Sequence, residues 1–157
     1  MTLLDLDLPL TVSPNMVSPT RRIIEAKLGP ALDDEDAIFR VAMTAHELLE
    51  NAAKYASDGK ARLEVSIKPR GEDAFVRVVV TNNAARENID QLGACYAEMN
   101  AHRDAMAHYF SLMRMNAKAG AMSRLGLARV RAEGEMDIEV DVQGDTVKVV
   151  ASGIVVR

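Results

Sequence analysis

The sequence predicts an α/β (α+β) two-layer sandwich, in which a mixed, mostly antiparallel sheet carries helices on one face. Three observations lead there. Two pairs of β-branched runs, 61–68 with 74–81 and 138–142 with 146–151, are each separated by a turn that contains glycine, as antiparallel hairpins are. A third alternation of apolar and polar residues, 4–12, stands alone near the start. Helical apolar spacing fills the segments between, so strands and helices come in separate runs and not as repeated βαβ units.

Taken in order, Leu4-Asp-Leu-Asp-Leu-Pro-Leu-Thr-Val reads as a half-buried strand, and Pro9, which has no N–H for a ladder, favours the sheet edge. Ser13-Pro14-Asn15 turns the chain into a first helix over 16–28, with Pro19 suited to its first turn and Gly29-Pro30 as its stop. Asp33 is placed to cap the second helix. Asp34, Glu35 and Asp36 complement its positive end, and Ile38, Val41, Ala42, Ala45, Leu48, Leu49, Ala52, Ala53 and Ala56 form a broad apolar face. Ser57-Asp58-Gly59 is expected to end it near Ala56. After the first hairpin, with its Pro69–Asp73 turn, the pattern from Ala84 to about Lys118 is helical again, with a break near Gly93 or between Asn100 and Asp104. A short helix near 125–133 leads to the second hairpin, where Gly144 supplies the positive φ of a tight turn. The whole of 1–157 is expected to form one domain, with 84–122 as a lid-like helical insert.

The chain has 19 Lys and Arg against 23 Asp and Glu, a net charge of −4, so no summed positive field draws it to nucleic acid or to an anionic membrane. No apolar run has bilayer length, and the N-terminus lacks the basic, uniformly apolar pattern of a signal peptide, so a cytoplasmic location is expected. Cys95 is the sole cysteine and cannot form an internal disulfide. A thiol–base pairing of Cys95 with His102 has little support beside the ordinary reading of a core cysteine. The three histidines show no zinc-ligand spacing, and His102 and His108, six apart, would fall on different faces of one helix. Met99, Met106, Met113, Met115 and Met122 lie among Tyr96, Tyr109, Phe110 and Leu112, as expected of an adaptable core or a dimer contact more than of a ligand-gated lid.

Chemistry concentrates on the second helix. Glu47, Asn51 and Lys54 recur at steps of four and three, which at 100° per residue keeps them within about 60° of one another. The plain reading of that stripe is a solvated face, with Glu50 and Lys54 as an i, i+4 pair. Its neighbours supply a second reading. Glu47-Leu48-Leu49-Glu50-Asn51-Ala52-Ala53-Lys54 resembles the N-box, Glu-Leu-x-x-Asn-Ala-x-Lys, of the histidine-kinase-like ATPase (GHKL) superfamily, which includes gyrase, the heat-shock chaperone, histidine kinases and mismatch-repair proteins. Upstream, Leu6-Asp-Leu-Pro-Leu, Arg21-Arg22 and the 33–56 helix resemble the start of the anti-sigma-factor serine kinases.

The resemblance implies a site for Mg²⁺ and ATP. Asn51 would ligate the ion, Lys54 would meet a phosphate as a point charge, and Glu47 would orient or deprotonate the accepting hydroxyl or water. Two further boxes are altered. Where the family has Asp-x-Gly-x-Gly after a strand, this chain has Asn82-Asn83-Ala84-Ala85-Arg86, so Asn82 would contact adenine through its amide and Ala84 replaces the first glycine. Where the family has Gly-x-Gly-Leu-Gly-Leu, the chain has Met122-Ser123-Arg124-Leu125-Gly126-Leu127, which keeps only Gly126. Amides at that helix start could face a phosphate, and Arg124 would either clamp an anion or fill its space.

Two functions follow from the resemblance. One is a bacterial signalling regulator that binds Mg-ATP and phosphorylates or sequesters a small partner protein, resembling a sulfate-transporter/anti-sigma-antagonist (STAS) domain or a sigma factor. The other is a catalytically inactive pseudo-kinase that persists as a protein-interaction module. Related signalling domains imply a homodimer in either case.

Overall fold

A computed structural model describes residues 1–119 and 125–157, with side chains described as far as Met115 and again from Leu125. The elements are β1 (Leu4–Thr11), α1 (Val17–Leu28), α2 (Glu35–Tyr55), β2 (Ala56–Arg70), β3 (Asp73–Ala84), α3 (Arg86–Ala101), α4 (Ala105–Ala119), α5 (Leu125–Ala132), β4 (Asp137–Gln143) and β5 (Thr146–Val156), with one 3₁₀ turn at Pro14–Met16. Five strands form one sheet in the order β1-β2-β3-β5-β4. Every pairing is antiparallel. The two-layer α/β sandwich is as expected, but the anticipated mixed character is absent among the described strands. Helical excursions join β1 to β2 and β3 to β4, while β2–β3 and β4–β5 are hairpins, so β5 turns back to fill the place between β3 and β4.

The alternation read in the sequence is the alternation of burial. Leu63, Val65 and Ile67 of β2, Val76, Val78 and Val80 of β3, and Val147, Val149 and Ala151 of β5 face the helices. Val41, Ala45, Leu48, Leu49 and Ala52 of α2 press against them, with Ile24 and Leu28 of α1 alongside. β1 is an edge strand, as Pro9 predicts: its Leu4, Leu6, Leu8 and Leu10 pair in register with Ile67, Val65, Leu63 and Ala61. Asp7 and Arg62 clasp across this edge through two guanidinium nitrogens, Nε and Nη2, with Arg62 Nε 2.8 Å from Asp7 Oδ1. That bond holds the Asp7 carboxyl below the usual carboxylate range.

Local details depart from the sequence reading in two places. Asp34, not Asp33, caps α2, its carboxylate accepting from the Ala37 amide at 2.8 Å. Ser57-Asp58-Gly59 does not form a separate stop. The chain passes from Tyr55 directly into β2, and the irregular register between Ala56 and Ala61 absorbs the glycine at φ 70°. The break in the helical insert falls at His102–Asp104, and Gly93 lies within α3. Gly144 turns the last hairpin at φ 60°, as its sequence context requires.

Candidate functional site

The second half of α2 separates two hollows. The larger, about 380 Å³, lies between α2, α3 and the sheet. Its walls are mostly apolar, with Leu48, Ala52, Val80, Ile89, Leu127 and Val149 among them, and its polar groups include Asn51, Asn82, Asn88, Gln91 and Glu98. The smaller, about 330 Å³, opens between α2, α4 and the start of α5, and it is lined by Glu47, Glu50, Asn51, Lys54, Tyr109, Leu125, Gly126, Arg129 and Glu133. Asn51 lines both. Both volumes fall in the range of small-molecule sites, about 300–1,000 Å³.

The fold thus gathers most of the residues singled out in the sequence. Asn51 and Asn82 share the apolar hollow, and Glu47, Lys54 and Gly126 share the charged one with Asn51. Arg124 and Met122 lie outside the described residues. The i, i+4 pair of Glu50 is made with His46, at 3.2 Å, and not with Lys54, whose ammonium sits 5.7 Å from the centre of the Tyr55 ring. Lys54 is exposed at the mouth of the charged hollow.

Glu47 is the residue whose setting differs most from a solvated stripe. It is 9% exposed. One carboxylate oxygen accepts from Arg129 Nη1 at 3.1 Å, and the other lies against α5 at Gly126. A Cβ at position 126 would sit 2.7 Å from Glu47 Oε2, so Gly126 makes room for this carboxylate. Arg129 also donates to Glu133 at 2.9 Å, and these hydrogen bonds raise the guanidinium's pKa further, against the opposing effect of burial. Glu47 is therefore a clasped acceptor between α2 and α5. Arg129 and Glu133 escaped the sequence reading because four-residue Arg–Glu spacing marks an ordinary helix pair, and nothing local links either to a glutamate 82 positions away. Tyr109 stands beside them, and burial first, then the Glu133 charge, pushes its phenol up from the ordinary value.

The segment 82–84 completes β3. Ala84 is the last residue of β3, buried, and its amide donates to the Asp145 carbonyl at 2.9 Å. Among the described residues the only non-glycine position with positive φ is Glu135, so Ala84 carries no strain. Asn82 turns its amide nitrogen to the Asn83 carbonyl at 3.1 Å, while Asn83 accepts from Thr146 Oγ1 at 2.8 Å.

The methionine-rich insert divides. Met99 is buried against the main core, Met113 packs in a small cluster with Tyr109, Leu112, Ala128 and Ala132, and Met106 and Met115 are exposed. Cys95 is buried on α3 in the wall of the apolar hollow. The expectation that His102 and His108 diverge is overturned. Because the helix breaks between them, their rings stack with centroids 4.3 Å apart and planes 13° from parallel.

This is a two-layer α/β sandwich with a cavity held between its helices and the sheet. The same fold is found in the crystal structure of the SiaB-SiaC complex from Pseudomonas aeruginosa: one chain there superposes with a TM-score of 0.65 at 14% identity, over 96% of this chain and 89% of that one. No family model matches the sequence, and no curated protein matches it. Among the described residues no helix is long and apolar enough to cross a membrane.

Proposed function

We propose that this chain is a nucleotide-binding signalling regulator that acts on a small partner protein. The observation that carries the reading is the position of Asn51 at the junction of an apolar hollow containing Asn82 and a charged hollow containing Lys54 and Gly126. A purine nucleotide has those two halves. The base enters the apolar hollow, where Asn82 offers an amide to its edge, and the phosphates extend past Asn51 toward Lys54 and the first turn of α5. Asn51 is the oxygen donor for Mg²⁺, and Lys54 is the unclasped cation for the phosphates. The fold shared with a chain of a two-protein complex supports a partner-binding role, and the resemblance to anti-sigma-factor serine kinases makes a STAS-like or sigma-factor-like protein the class of partner.

Within this reading the chain sequesters its partner more readily than it phosphorylates it. Glu47, the candidate base, already spends one oxygen on Arg129 and presses the other against Gly126. Transfer to a hydroxyl needs that clasp to open. The inactive-module reading rests on the same contact: if the clasp is permanent, the domain binds without turning over.

Calorimetric titration with Mg-ATP tests the proposal. Wild type is expected to bind saturably and Asn51→Ala to bind at least about tenfold more weakly, as loss of one metal-anchoring group entails. Absence of saturable binding by wild type at millimolar nucleotide would sink it. Release of radiolabel onto a partner hydroxyl, present in wild type and lost in Glu47→Gln, would separate the kinase from the inactive module.

A further inference from the structure

We propose that Glu98, His102 and His108 form a binding site for a zinc-like divalent d-block cation that staples the break between α3 and α4. Glu98 lies on the last turn of α3, His102 in the break, and His108 on the first turn of α4. One ligand atom from each lies within 4.8 Å of the others, and Glu98 Oε1 is 3.9 Å from His108 Nε2. Among the described residues this is the one group of three His, Cys, Asp or Glu side chains gathered closely enough to hold an ion.

The donor set has a definite chemistry. Two imidazoles and a carboxylate suit zinc and its neighbours, and exclude the all-oxygen preference of Mg²⁺ and Ca²⁺. Three protein ligands leave the fourth tetrahedral position to water, on the side of the exposed His102. Donors bound about 2.0–2.1 Å from one zinc lie about 3.3 Å apart, so the widest separation in the group must close by up to about 1.5 Å. The exposed His102 ring must turn out of its stack on His108 to aim a nitrogen at the ion, while His108, at 4% exposure, is the fixed member.

The surroundings hold the backbone of the site in place. Arg131 of α5 donates to the Met99 carbonyl at 2.7 Å and to the His102 carbonyl, satisfying the frayed end of α3 and fixing where it turns. An ion spanning the break then sets the angle between α3 and α4. Glu98 also lines the apolar hollow, so the staple adjoins that cavity's wall. None of this depends on nucleotide binding.

The test uses the full chain without nucleotide. Zn²⁺ is titrated against a chromophoric chelator, Co²⁺ is added as an optical probe, and Tm is followed with and without Zn²⁺. We expect one ion per chain, visible cobalt bands of four-coordinate intensity, and a higher Tm with zinc. His102→Ala, an exposed position that does not threaten the fold, is expected to weaken zinc at least about tenfold and remove the rise in Tm. Glu98→Gln should do the same, and His46→Ala, remote on α2, should leave both readouts unchanged. Failure of wild type to take up one equivalent would overturn the proposal. So would uptake that survives His102→Ala and Glu98→Gln undiminished.

Discussion

The two hollows that meet at Asn51 are built by different means. The apolar one is walled by residues that periodicity alone puts in place: Leu48 and Ala52 on the buried face of α2, Val80 and Val149 on the inner face of the sheet. The charged one depends on side chains from α2, α4 and α5 that are brought together only by tertiary folding, with Glu47 and Arg129 as its central contact. A cavity made by strand and helix faces is as rigid as the core it belongs to. A cavity closed by an ion pair can be opened by whatever competes for either partner, as an anion would for Arg129.

That contrast can be broken by mutation. Leu48→Ala removes a side chain that is 2% exposed and serves both the core and the apolar wall, and should cost about 2–5 kcal/mol in urea unfolding. A loss well under that range would mean that the apolar hollow is not continuous with the core. Arg129→Met should cost less, about 1–3 kcal/mol, by leaving the Glu47 carboxylate buried without its donor. Adding Glu47→Gln should restore part of that loss, because the orphaned charge is gone. If the double variant is as unstable as the sum of both single changes, the clasp is not the link between α2 and α5.

Much of the apolar half was legible in the sequence. The 4–12 alternation, the two hairpins and the apolar face of α2 all translate into buried positions, because period-2 and period-3.6 patterns report which face meets the core. The four-and-three spacing placed Glu47, Asn51 and Lys54 on one stripe, and all three do line the charged hollow. What could not be read was the partner across that hollow. Arg129 and Glu133 look like any exposed helical pair, and Tyr109 like any core aromatic. The break at His102 hid the histidine pair for a related reason: spacing predicts faces only along an unbroken helix. The Asp33-to-Asp34 shift of the α2 cap is a smaller instance, since four consecutive acidic residues offer adjacent capping carboxylates.

Smaller effects sharpen the comparison. Asn51→Ala should change stability by no more than about 0.5 kcal/mol, since the side chain is only half-buried and faces both hollows, while nucleotide affinity falls. A large loss of stability would make Asn51 a structural residue. Tyr109 offers a pH readout of the charged side. Its phenol holds its proton more tightly in the folded chain than at the ordinary value of 10.0, so the stabilisation is present below that pH and is lost as pH rises through the folded value. Tyr109→Phe should flatten the alkaline limb of the unfolding curve. At the opposite edge, loss of the Asp7 clasp as pH falls should leave the hollows untouched, because that pair lies on the exposed face of β1 and β2.

The central claim is that one ligand occupies both hollows through Asn51, and amide chemical-shift mapping during titration with Mg-ADP tests it most directly. The account predicts that the amides of Asn82 and Ala84 on the base side and of Lys54 and Gly126 on the phosphate side shift together with a single midpoint. Shifts confined to one side, or none at either, would contradict it.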